Sequence, residues 1–324
     1  MTEEEELTYS DAGVDIDASE AATAALVGAV SDIDNTTDYA GLLDIGDQYL
    51  ALATDGVGTK LLVAEALGDY STVGIDCIAM NANDLVASGV EPVAFVDYLA
   101  VDEPTEEFSE QVGEGLAAGA EEAGVALVGG ETAVMPEVIS GLDLAGACAG
   151  LAPKDAIFPG EAEVGDVLVG FESNGIHSNG LTLARKAATK DHDYDDDFPL
   201  GEGTVGEALL EPTRLYTYLL PALRQRDVHA AAHVTGGGWT NLLRMGDHRY
   251  EIDDPFDAQP VFDFVQVGGN VSDEEMHRTF NMGTGFVVAL PEGDAETLVS
   301  ETDGRVIGAV EEGDSVGIRG LSLD

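Results

Sequence analysis

Apolar residues recur along the chain with two spacings, and together they predict alternating strands and helices. Short apolar runs at residues 49–53, 93–101 and 142–151 have the length of buried strands. Residues 75–86 place apolar side chains three and four positions apart, as a helix requires, and residues 105–123 open with a threonine suited to cap an amphipathic helix. The first half of the chain therefore predicts a sheet with helices packed on it.

The same alternation restarts in the second half. An apolar run at residues 166–171 predicts a strand, and residues 181–188 predict the helix that follows it. Residues 211–226 predict a further helix, which begins at the Glu-Pro-Thr sequence. A late apolar run at residues 286–290 predicts another strand.

The length of the chain and a linker-like segment near its middle predict two domains. With 324 residues, the chain is too long for one typical small core. Residues 153–165 combine proline, glycine and charge, which is typical of a linker. We predict the α+β class, with two α/β-type domains at residues 1–153 and 154–324, each containing a mixed sheet with helices.

The first residues and the cysteines give smaller signals. Alternating apolar and acidic residues at 9–17 predict an extended arm, and Ser19 is placed to cap a helix that reaches about residue 30. Cys77 and Cys148 lie in apolar surroundings without a CxxC partner, so we expect buried, reduced thiols.

The charge of the chain changes the expected setting. Its 63 acidic and 13 basic residues give a net charge of −50, which argues against a basic nucleic-acid-binding patch. Because the acids are interspersed with regular apolar patterns, they predict a folded protein in concentrated salt, where molar ions screen charges to within about 3 Å. No apolar run approaches the roughly 18–20 residues that span a bilayer, so we expect a cytoplasmic protein without a membrane partner.

The segment at residues 54–60 carries the clearest chemistry. An apolar run ends there in a carboxylate, two glycines, a hydroxyl and one of only four lysines. Such groups at a strand end suit a metal–polyphosphate ligand, although the spacing is not that of a Walker P-loop. The alternative is an Asp-Gly turn required by the backbone alone. The residues concerned are Thr54, Asp55, Gly56, Gly58, Thr59 and Lys60.

Two further carboxylates occupy comparable places. Asp84 shares a face of the predicted helix with Asn81, and Glu131 follows two glycines after a short apolar run. Carboxylates on three separate elements could converge on one divalent cation together with Asp55. Oxygen ligands without nearby histidine or cysteine favour Mg²⁺ with a nucleotide. The alternative for Asn81 and Asp84 is a solvated helix face.

Two more glycine loops carry polar groups. Residues 173–180 read Ser-Asn-Gly-Ile-His-Ser-Asn-Gly, and hydroxyls, amides and free N–H groups before a helix suit an anion. Residues 233–239 read His-Val-Thr-Gly-Gly-Gly-Trp and again follow a short apolar run. The alternatives are a long turn with a capping serine and a core histidine at His233 that is hydrogen-bonded to backbone.

Taken together, these loops resemble the aminoimidazole ribonucleotide synthetase family, whose members are also called phosphoribosylformylglycinamidine cyclo-ligases. The resemblance covers nearly the whole chain and rests on the order and spacing of many motifs. These motifs include Ala12-Gly13-Val14-Asp15, Thr54–Lys60, Asn83-Asp84-Leu85, Gly129-Gly130-Glu131-Thr132, His177-Ser178-Asn179-Gly180, Pro212-Thr213-Arg214, His233–Gly238 and Arg278-Thr279-Phe280-Asn281-Met282-Gly283.

The resemblance implies an ATP-dependent ring closure in purine synthesis. The amide oxygen of formylglycinamidine ribonucleotide would be phosphorylated by ATP, and the amidine-side nitrogen would then attack and expel phosphate. It also implies Mg²⁺ as cofactor and a homodimer whose N-terminal sheets, in the ATP-binding domain, meet at the interface.

The same resemblance implies a set of site residues. The implied nucleotide site contains Thr54, Asp55, Gly56, Gly58, Thr59, Lys60, Asn83, Gly129 and Gly130, and the metal ligands are Asp55, Asp84 and Glu131. The implied substrate site contains Ser173, Asn174, Gly175, His177, Ser178, Asn179, Thr235, Gly236 and Gly237. Lys60 would neutralise the transferring phosphoryl group, and His177 and His233 would transfer a proton or orient the substrate.

One departure and three alternatives accompany this reading. Residues 38–46 are short and glycine-poor where family members commonly carry a glycine-rich segment, which puts a lid over ATP in doubt. A selenophosphate synthetase normally has a reactive cysteine near its N-terminus, and none precedes Cys77. The His-Ser-Asn-Gly and Arg-Thr-Phe-Asn-Met-Gly segments favour the cyclo-ligase over a small-molecule kinase. Lys60 and the three carboxylates argue against a non-catalytic nucleotide-binding protein.

Overall fold

The computed structural model describes residues 7–13, 21–23, 25–26, 37 and 39–323. Two sheets with helices packed against them make up this part of the chain, which confirms the α+β class. The boundary between the two predicted domains stays a prediction. The helix predicted from Ser19 begins outside the described residues.

The first sheet is mixed and five-stranded, in the order β1-β2-β5-β3-β4. Strands β3 and β4 are parallel, and the other neighbours are antiparallel. Its strands are β1 Gly41–Asp44, β2 Gln48–Gly56, β3 Glu91–Val101, β4 Ala126–Val134 and β5 Leu142–Pro153. The helices of this half whose bounds lie within the described residues are α1 Tyr9–Ala12, α2 Leu61–Leu67, α3 Val73–Ala87 and α4 Glu106–Ala123.

The two faces of this sheet differ because side chains alternate along a strand. On β2, Ala51 and Ala53 face helix α3 and are buried. The opposite face carries apolar side chains that are open to solvent, with exposed fractions of 52% at Leu52, 39% at Val96 and 46% at Tyr98. One side of the first sheet therefore belongs to a core, while the other is an uncovered apolar surface.

The second sheet is mixed and seven-stranded, in the order β12-β11-β8-β10-β6-β9-β7. Strands β8 and β11 are parallel, and the other neighbours are antiparallel. Its strands are β6 Val167–Glu172, β7 Ala230–His233, β8 Arg249–Ile252, β9 Thr284–Leu290, β10 Arg305–Glu311, β11 Val316–Ile318 and β12 Leu321–Leu323. The helices of this half are α5 Leu181–Ala188, α6 Val205–Leu210, α7 Leu220–Leu223, α8 Pro260–Gly269, α9 Asp273–Thr279 and α10 Glu292–Glu301.

The predicted start of helix α4 at Thr105 is confirmed by its cap, and a serine caps helix α9 in the same way. The hydroxyl of Thr105 accepts a hydrogen bond from the N–H of Phe108 at the start of α4. The hydroxyl of Ser272 likewise accepts from the N–H of Glu275 at the start of α9. Glu275 does not complete a capping box, because its carboxylate accepts the N–H of Tyr9.

Several element boundaries predicted from the sequence are wrong. Strand β2 continues to Gly56, and β4 continues through the two glycines and Glu131 instead of ending before them. Residues 211–216 are not helical, because their backbone groups bond to side chains of the first half. Residues 9–12 form a helical turn rather than an extended arm.

Other predictions about the interior hold. Cys77 and Cys148 are free and buried, and burial raises the pKa of both thiols, to about 12 for Cys148. Across the described ranges, no helix has both the length and the hydropathy needed to cross a bilayer.

Candidate functional site

Asp55 and Asp84 form the charged centre of the candidate site. Asp55 lies near the end of β2, and Asp84 lies in the second half of α3, which packs on that strand. The two carboxylates are close enough for the negative charge of Asp84 to act on Asp55. Neighbouring carboxylates of this kind create a negative centre that a divalent cation would stabilise.

The surroundings raise the pKa of Asp55. The protein packed around the carboxyl group is the largest cause, and the charge of Asp84 adds to it. The N–H of Gly56 donates to Oδ1 at 2.7 Å and opposes the rise, as does the charge of Arg244. The Asp55 side chain nevertheless remains exposed to solvent, so the surrounding protein atoms flank the carboxylate without enclosing it.

His233 joins this centre from the second sheet. It lies at the end of β7 and is fully buried. Its Nδ1 lies 2.9 Å from Oδ1 of Asp84, and its Nε2 lies 3.3 Å from Nδ2 of Asn83. Because an amide nitrogen donates, the pattern assigns the hydrogen to Nδ1, which donates it to Asp84. His233 is thus a buried histidine whose partners are side chains of the first half, not backbone groups.

Asn81 lies beside the same carboxylates. Its Nδ2 donates to the carbonyl oxygens of Asp55 at 3.1 Å and Cys77 at 2.8 Å. Its Oδ1 is buried and has no partner within the described ranges. A buried acceptor without a donor is unfavourable, so this oxygen suits a water molecule bound to a cation next to Asp55.

The structure does not bring Glu131 to this centre. Glu131 of β4 lies opposite Tyr98 of β3, so its side chain is on the uncovered face of the sheet. Asp55 is on the other face, which packs against α3. Three strand-to-strand steps separate β2 from β4, or roughly 14 Å. No three acidic, histidine or cysteine side chains of the described residues are grouped to hold a metal. The predicted convergence of three carboxylates within one chain is therefore wrong.

The glycines before Glu131 also differ from expectation. Gly129 and Gly130 lie inside β4 rather than in a loop, and neither joins the centre around Asp55. A Cβ atom on Gly130 would lie 2.2 Å from Oδ1 of Asp97, so glycine makes room for that carboxylate. Local packing accounts for this glycine without a nucleotide.

Lys60 is turned into the protein interior. It ends a short 3₁₀ helix, Gly58–Lys60, and its side chain is fully buried. Its Nζ donates to Oδ1 of Asp76 at 2.9 Å and to the carbonyl oxygen of Glu211. Burial lowers the pKa of Lys60, and the charge of Asp76 opposes that change. The contact of Lys60 with a phosphoryl group therefore stays a prediction.

The 54–60 segment and helix α3 lie next to the predicted substrate loops. The hydroxyls of Thr59 and Thr182 lie 2.9 Å apart, which links that segment to the helix after loop 173–180. Nδ2 of Asn179 lies 3.6 Å from Sδ of Met80 on α3. A Cβ atom on Gly236 would lie 3.3 Å from Oδ1 of Asn179, so the two glycine loops are also in contact with one another.

Loop 173–180 divides into buried and open positions. Asn174 is exposed, and Ser178 and Asn179 are partly exposed. Ser173 is buried, and its hydroxyl donates to Oδ1 of Asn281 at 2.7 Å. Asn281 in turn donates to the carbonyl oxygen of Gly175 at 2.9 Å. Ser173 and Gly175 thus maintain the shape of the loop, while the open residues can reach a ligand.

His177 is neutral in this environment. Burial lowers the pKa of His177 well below its usual value, and the charges of Lys60 and Arg214 lower it further. Its Nε2 lies 2.9 Å from Oδ1 of Asn174, which assigns the hydrogen to Nε2. Its Nδ1 is buried and has no partner in the described part of the chain.

Family models cover both halves of the chain. The model described as AIR synthase related protein, N-terminal domain, matches residues 37–152, and the corresponding C-terminal domain matches residues 163–320. The chain belongs to the AIR synthase related family. The family resemblance read from the loops is thereby confirmed.

Curated relatives in the AIR synthase related family are similar over almost their full lengths. A phosphoribosylformylglycinamidine cyclo-ligase of Methanococcoides burtonii is 46% identical over 332 residues, which cover 99% of each chain. One of Methanosarcina acetivorans is 48% identical and covers 95% of this chain and 96% of its own.

Solved structures support the fold of the AIR synthase related family. A thiamine-monophosphate kinase of Stenotrophomonas maltophilia superimposes with a TM-score of 0.65 at 19% identity, covering 86% of this chain and 88% of its own. A hydrogenase maturation protein HypE in complex with ATP has a TM-score of 0.61 at 17% identity, covering 96% and 95%. At these identities the likeness concerns the fold alone.

Two residues near the candidate site, Arg244 and Asp76, were not predicted from the sequence. Arg244 is exposed, lies over the ring of Tyr39 at 5.4 Å, and its charge acts on Asp55. Among the described residues it has no carboxylate partner. The scarcity of basic residues, which drew attention to Lys60, applies equally to Arg244. Asp76 was missed because its partners lie far along the chain.

Proposed function

We propose that the chain catalyses the ATP-dependent cyclisation of formylglycinamidine ribonucleotide to aminoimidazole ribonucleotide, with release of ADP and phosphate. The observation that carries this proposal is that loop 173–180 lies against α3, the helix that holds Asp84, and against loop 235–237. The helix after loop 173–180 also contacts the 54–60 segment, which holds Asp55. A metal–polyphosphate centre beside an open polar loop is what phosphorylation of a bound substrate requires. The names of the relatives identify which substrate to test first.

Asp55 and Asp84 are the proposed metal ligands. A protein usually binds Mg²⁺ through one or two carboxylates, and phosphate oxygens of the substrate complete the site. Two aspartates therefore suffice as protein ligands without Glu131. The raised pKa of Asp55 and the partnerless Oδ1 of Asn81 both fit a bound hydrated cation. When bound, Mg²⁺ would offset the negative charge of the polyphosphate. His233 would hold the Asp84 carboxylate in one orientation.

The nucleotide phosphates would lie along the 54–60 segment. Gly58 offers a backbone N–H group, and Thr59 offers a hydroxyl. Arg244 is the exposed cation at this centre, so we assign it the role of pairing with phosphate charge. This proposal does not require Lys60 to contact phosphate, since its charge is already paired with Asp76.

The substrate would occupy the open positions of the two glycine loops. Asn174, Ser178, Asn179 and the backbone of residues 235–237 are accessible and polar, which suits a ribose phosphate. The amide oxygen of the substrate would take the terminal phosphoryl group of ATP. The amidine-side nitrogen would then attack the same carbon, and the carbon–oxygen bond to phosphate would break. His177, neutral at physiological pH, would keep loop 173–180 in place through Asn174.

A homodimer formed through the uncovered face of the first sheet belongs to the same proposal. Leu52, Val96 and Tyr98 expose apolar surface there, and monomeric proteins rarely leave such a face open. Edge strand β4 is exposed along most of its length. Glu131 points from this face, so a partner chain would bury or approach it.

The proposed setting is a cytoplasm with molar salt. The net charge of −50 makes the folded chain repel itself when ions are dilute. We expect the melting temperature to rise with KCl and the fold to be lost below roughly 0.5–1 M salt. Thermal melts monitored by circular dichroism from 0.1 to 3 M KCl check this. A melting temperature independent of KCl would contradict it.

The activity is tested by direct assay. The purified chain in molar KCl is supplied with formylglycinamidine ribonucleotide, Mg²⁺ and ATP, and both aminoimidazole ribonucleotide and ADP are measured. We expect one ADP for each ring closed and no product after chelation of the metal. Folded, dimeric protein that forms no product contradicts the proposal. Release of ADP with a different small-molecule acceptor would instead identify another ATP-dependent activity.

A further inference from the structure

We propose that Lys60 and Asp76 form a buried positioning pair that fixes residues 211–216 between the nucleotide centre and loop 173–180. These residues, Glu211–Tyr216, are called the strap below. This inference rests on the proposed function for its effect on catalysis. It gives Lys60 a role different from direct contact with phosphate.

The pair binds the first part of the strap through a single carboxylate oxygen. Oδ1 of Asp76 accepts Nζ of Lys60 at 2.9 Å, the N–H of Thr213 at 2.7 Å and the hydroxyl of Thr213 at 2.6 Å. Lys60 also donates to the carbonyl oxygen of Glu211. Both charged side chains are completely buried. Two charges of the first half thus recognise the backbone of one short segment of the second.

Asn83 binds the other end of the strap in the same manner. Its Nδ2 donates to the carbonyl oxygen of Arg214 at 2.9 Å, and its Oδ1 accepts the N–H of Tyr216 at 2.8 Å. Asn83 and Asp76 lie on the same helix, α3, which also carries Asp84 of the proposed metal site. The position of the strap is therefore set by the helix that holds the nucleotide centre.

The strap in turn contacts the substrate loop. The side-chain amide of Asn174 donates to the carbonyl oxygen of Pro212 at 2.9 Å, and the hydroxyl of Ser178 lies 3.1 Å from that of Thr213. A continuous chain of contacts leads from Lys60 and Asp76 to the loop that we assign to the substrate.

Lys60 and Asp76 can hold the strap in place because neither charged group is in contact with solvent. A buried charge that loses its partner must find a new one or change protonation. Oδ2 of Asp76 already lacks a partner in the described ranges, so the carboxylate has no spare donor to replace Lys60. Removal of one charge should therefore release the strap, whereas removal of both should release it less.

A double-variant cycle tests the proposal. Lys60→Met, Asp76→Asn and the combined variant are compared with the parent protein in molar KCl. Each single variant should release ADP without closing the ring, so that the ratio of product to ADP falls. The combined variant should retain at least about tenfold more activity than the product of the single losses predicts, as expected for groups that act on each other. Losses that multiply to within about twofold would overturn the proposal.

Hydrogen exchange supplies a readout that needs no substrate. The amide protons of Thr213 and Tyr216 should exchange at least about tenfold faster in either single variant, while amides of β9 keep their parental rates. Unchanged exchange in the strap would overturn the positioning role even if activity fell. If the parent protein closes no ring, the proposed function fails and the exchange data still decide this inference.

Two further variants keep the test decisive. Thr213→Val preserves both charges and removes the hydroxyl contacts to Asp76 and Ser178, so it tests the strap if the charge variants do not fold. It should speed exchange at Tyr216, and parental rates there would count against the proposal. Lys154→Met is the matched control, because Lys154 forms an exposed ion pair with Asp44. It should leave the product-to-ADP ratio at its parental value.

Discussion

Helix α3 presents two aspartates to two different environments. Asp76, in its first turn, is fully buried, and one of its oxygens accepts three hydrogen bonds. Asp84, near the end of the helix, is 20% exposed and has His233 as its side-chain partner in the described residues. An enclosed carboxylate that neighbouring protein groups bind through one oxygen maintains structure, whereas an accessible carboxylate beside another one has capacity for a cation.

The largest expected effect comes from the open aspartate. Asp84→Asn should lower kcat by about 10²–10³-fold, as expected when one preorganised electrostatic contact to a reacting phosphoryl group is lost. Steady-state assays in molar KCl check this. Asp155→Asn, at an exposed position away from the site, is the matched control and should keep parental activity. Equal activity of Asp84→Asn and the control would contradict the proposed metal site.

The enclosed aspartate should instead show its effect in stability. Lys60→Met leaves Asp76 buried without its countercharge and should lower the free energy of unfolding by about 3–5 kcal/mol. Denaturant unfolding at constant molar KCl measures this change. Lys154→Met removes a cation from an exposed pair and should leave the midpoint unchanged. Similar midpoints for the two variants would remove the distinction between the open and enclosed regions.

The uncovered sheet face predicts a change in assembly. Leu52→Asp places a charge among exposed apolar side chains and should halve the molecular mass in light scattering. Val267→Asp is the matched control, since Val267 is 80% exposed on α8, away from the first sheet. Persistence of the dimer in Leu52→Asp would show that the chains associate through another surface.

The smallest predicted effect concerns the pH response of Asp55. Because its pKa is raised, the native chain binds this proton more tightly than the unfolded chain does. The carboxyl group therefore stabilises the fold at low pH, and this contribution is lost as pH rises through the raised pKa. Asp55→Asn should melt slightly higher than the parent at neutral pH without metal, and Mg²⁺ should stabilise only the parent. A lower melting temperature for the variant in metal-free buffer would contradict this sign.

Much of the fold and part of the site followed from local pattern. The cap at Thr105 and the spacing of apolar residues predicted helices and strands correctly, because the interactions that form these elements involve residues close together in the sequence. The grouping of Asp55 and Asp84 with the substrate loops in one site stays a prediction. Element boundaries at the glycines of β4 were missed because glycine there accommodates Asp97 from a neighbouring strand.

Long-range partners explain the remaining differences. Residues 211–216 were expected to be helical. Instead, their backbone groups form hydrogen bonds with Lys60, Asp76 and Asn83, which lie more than a hundred positions away in the sequence. The orientation of Lys60 depends on the same contacts. Glu131 was placed with the metal because its face on the sheet depends on strand register, which a single sequence does not reveal.

The most direct test of the central claim is a crystal structure of the chain with Mg²⁺, a non-hydrolysable ATP analogue and the ribonucleotide substrate. We predict carboxylate oxygens of Asp55 and Asp84 at about 2.0–2.1 Å from Mg²⁺, with the substrate on loops 173–180 and 235–237. Mg²⁺ bound without either carboxylate, or a substrate bound away from both loops, would contradict it.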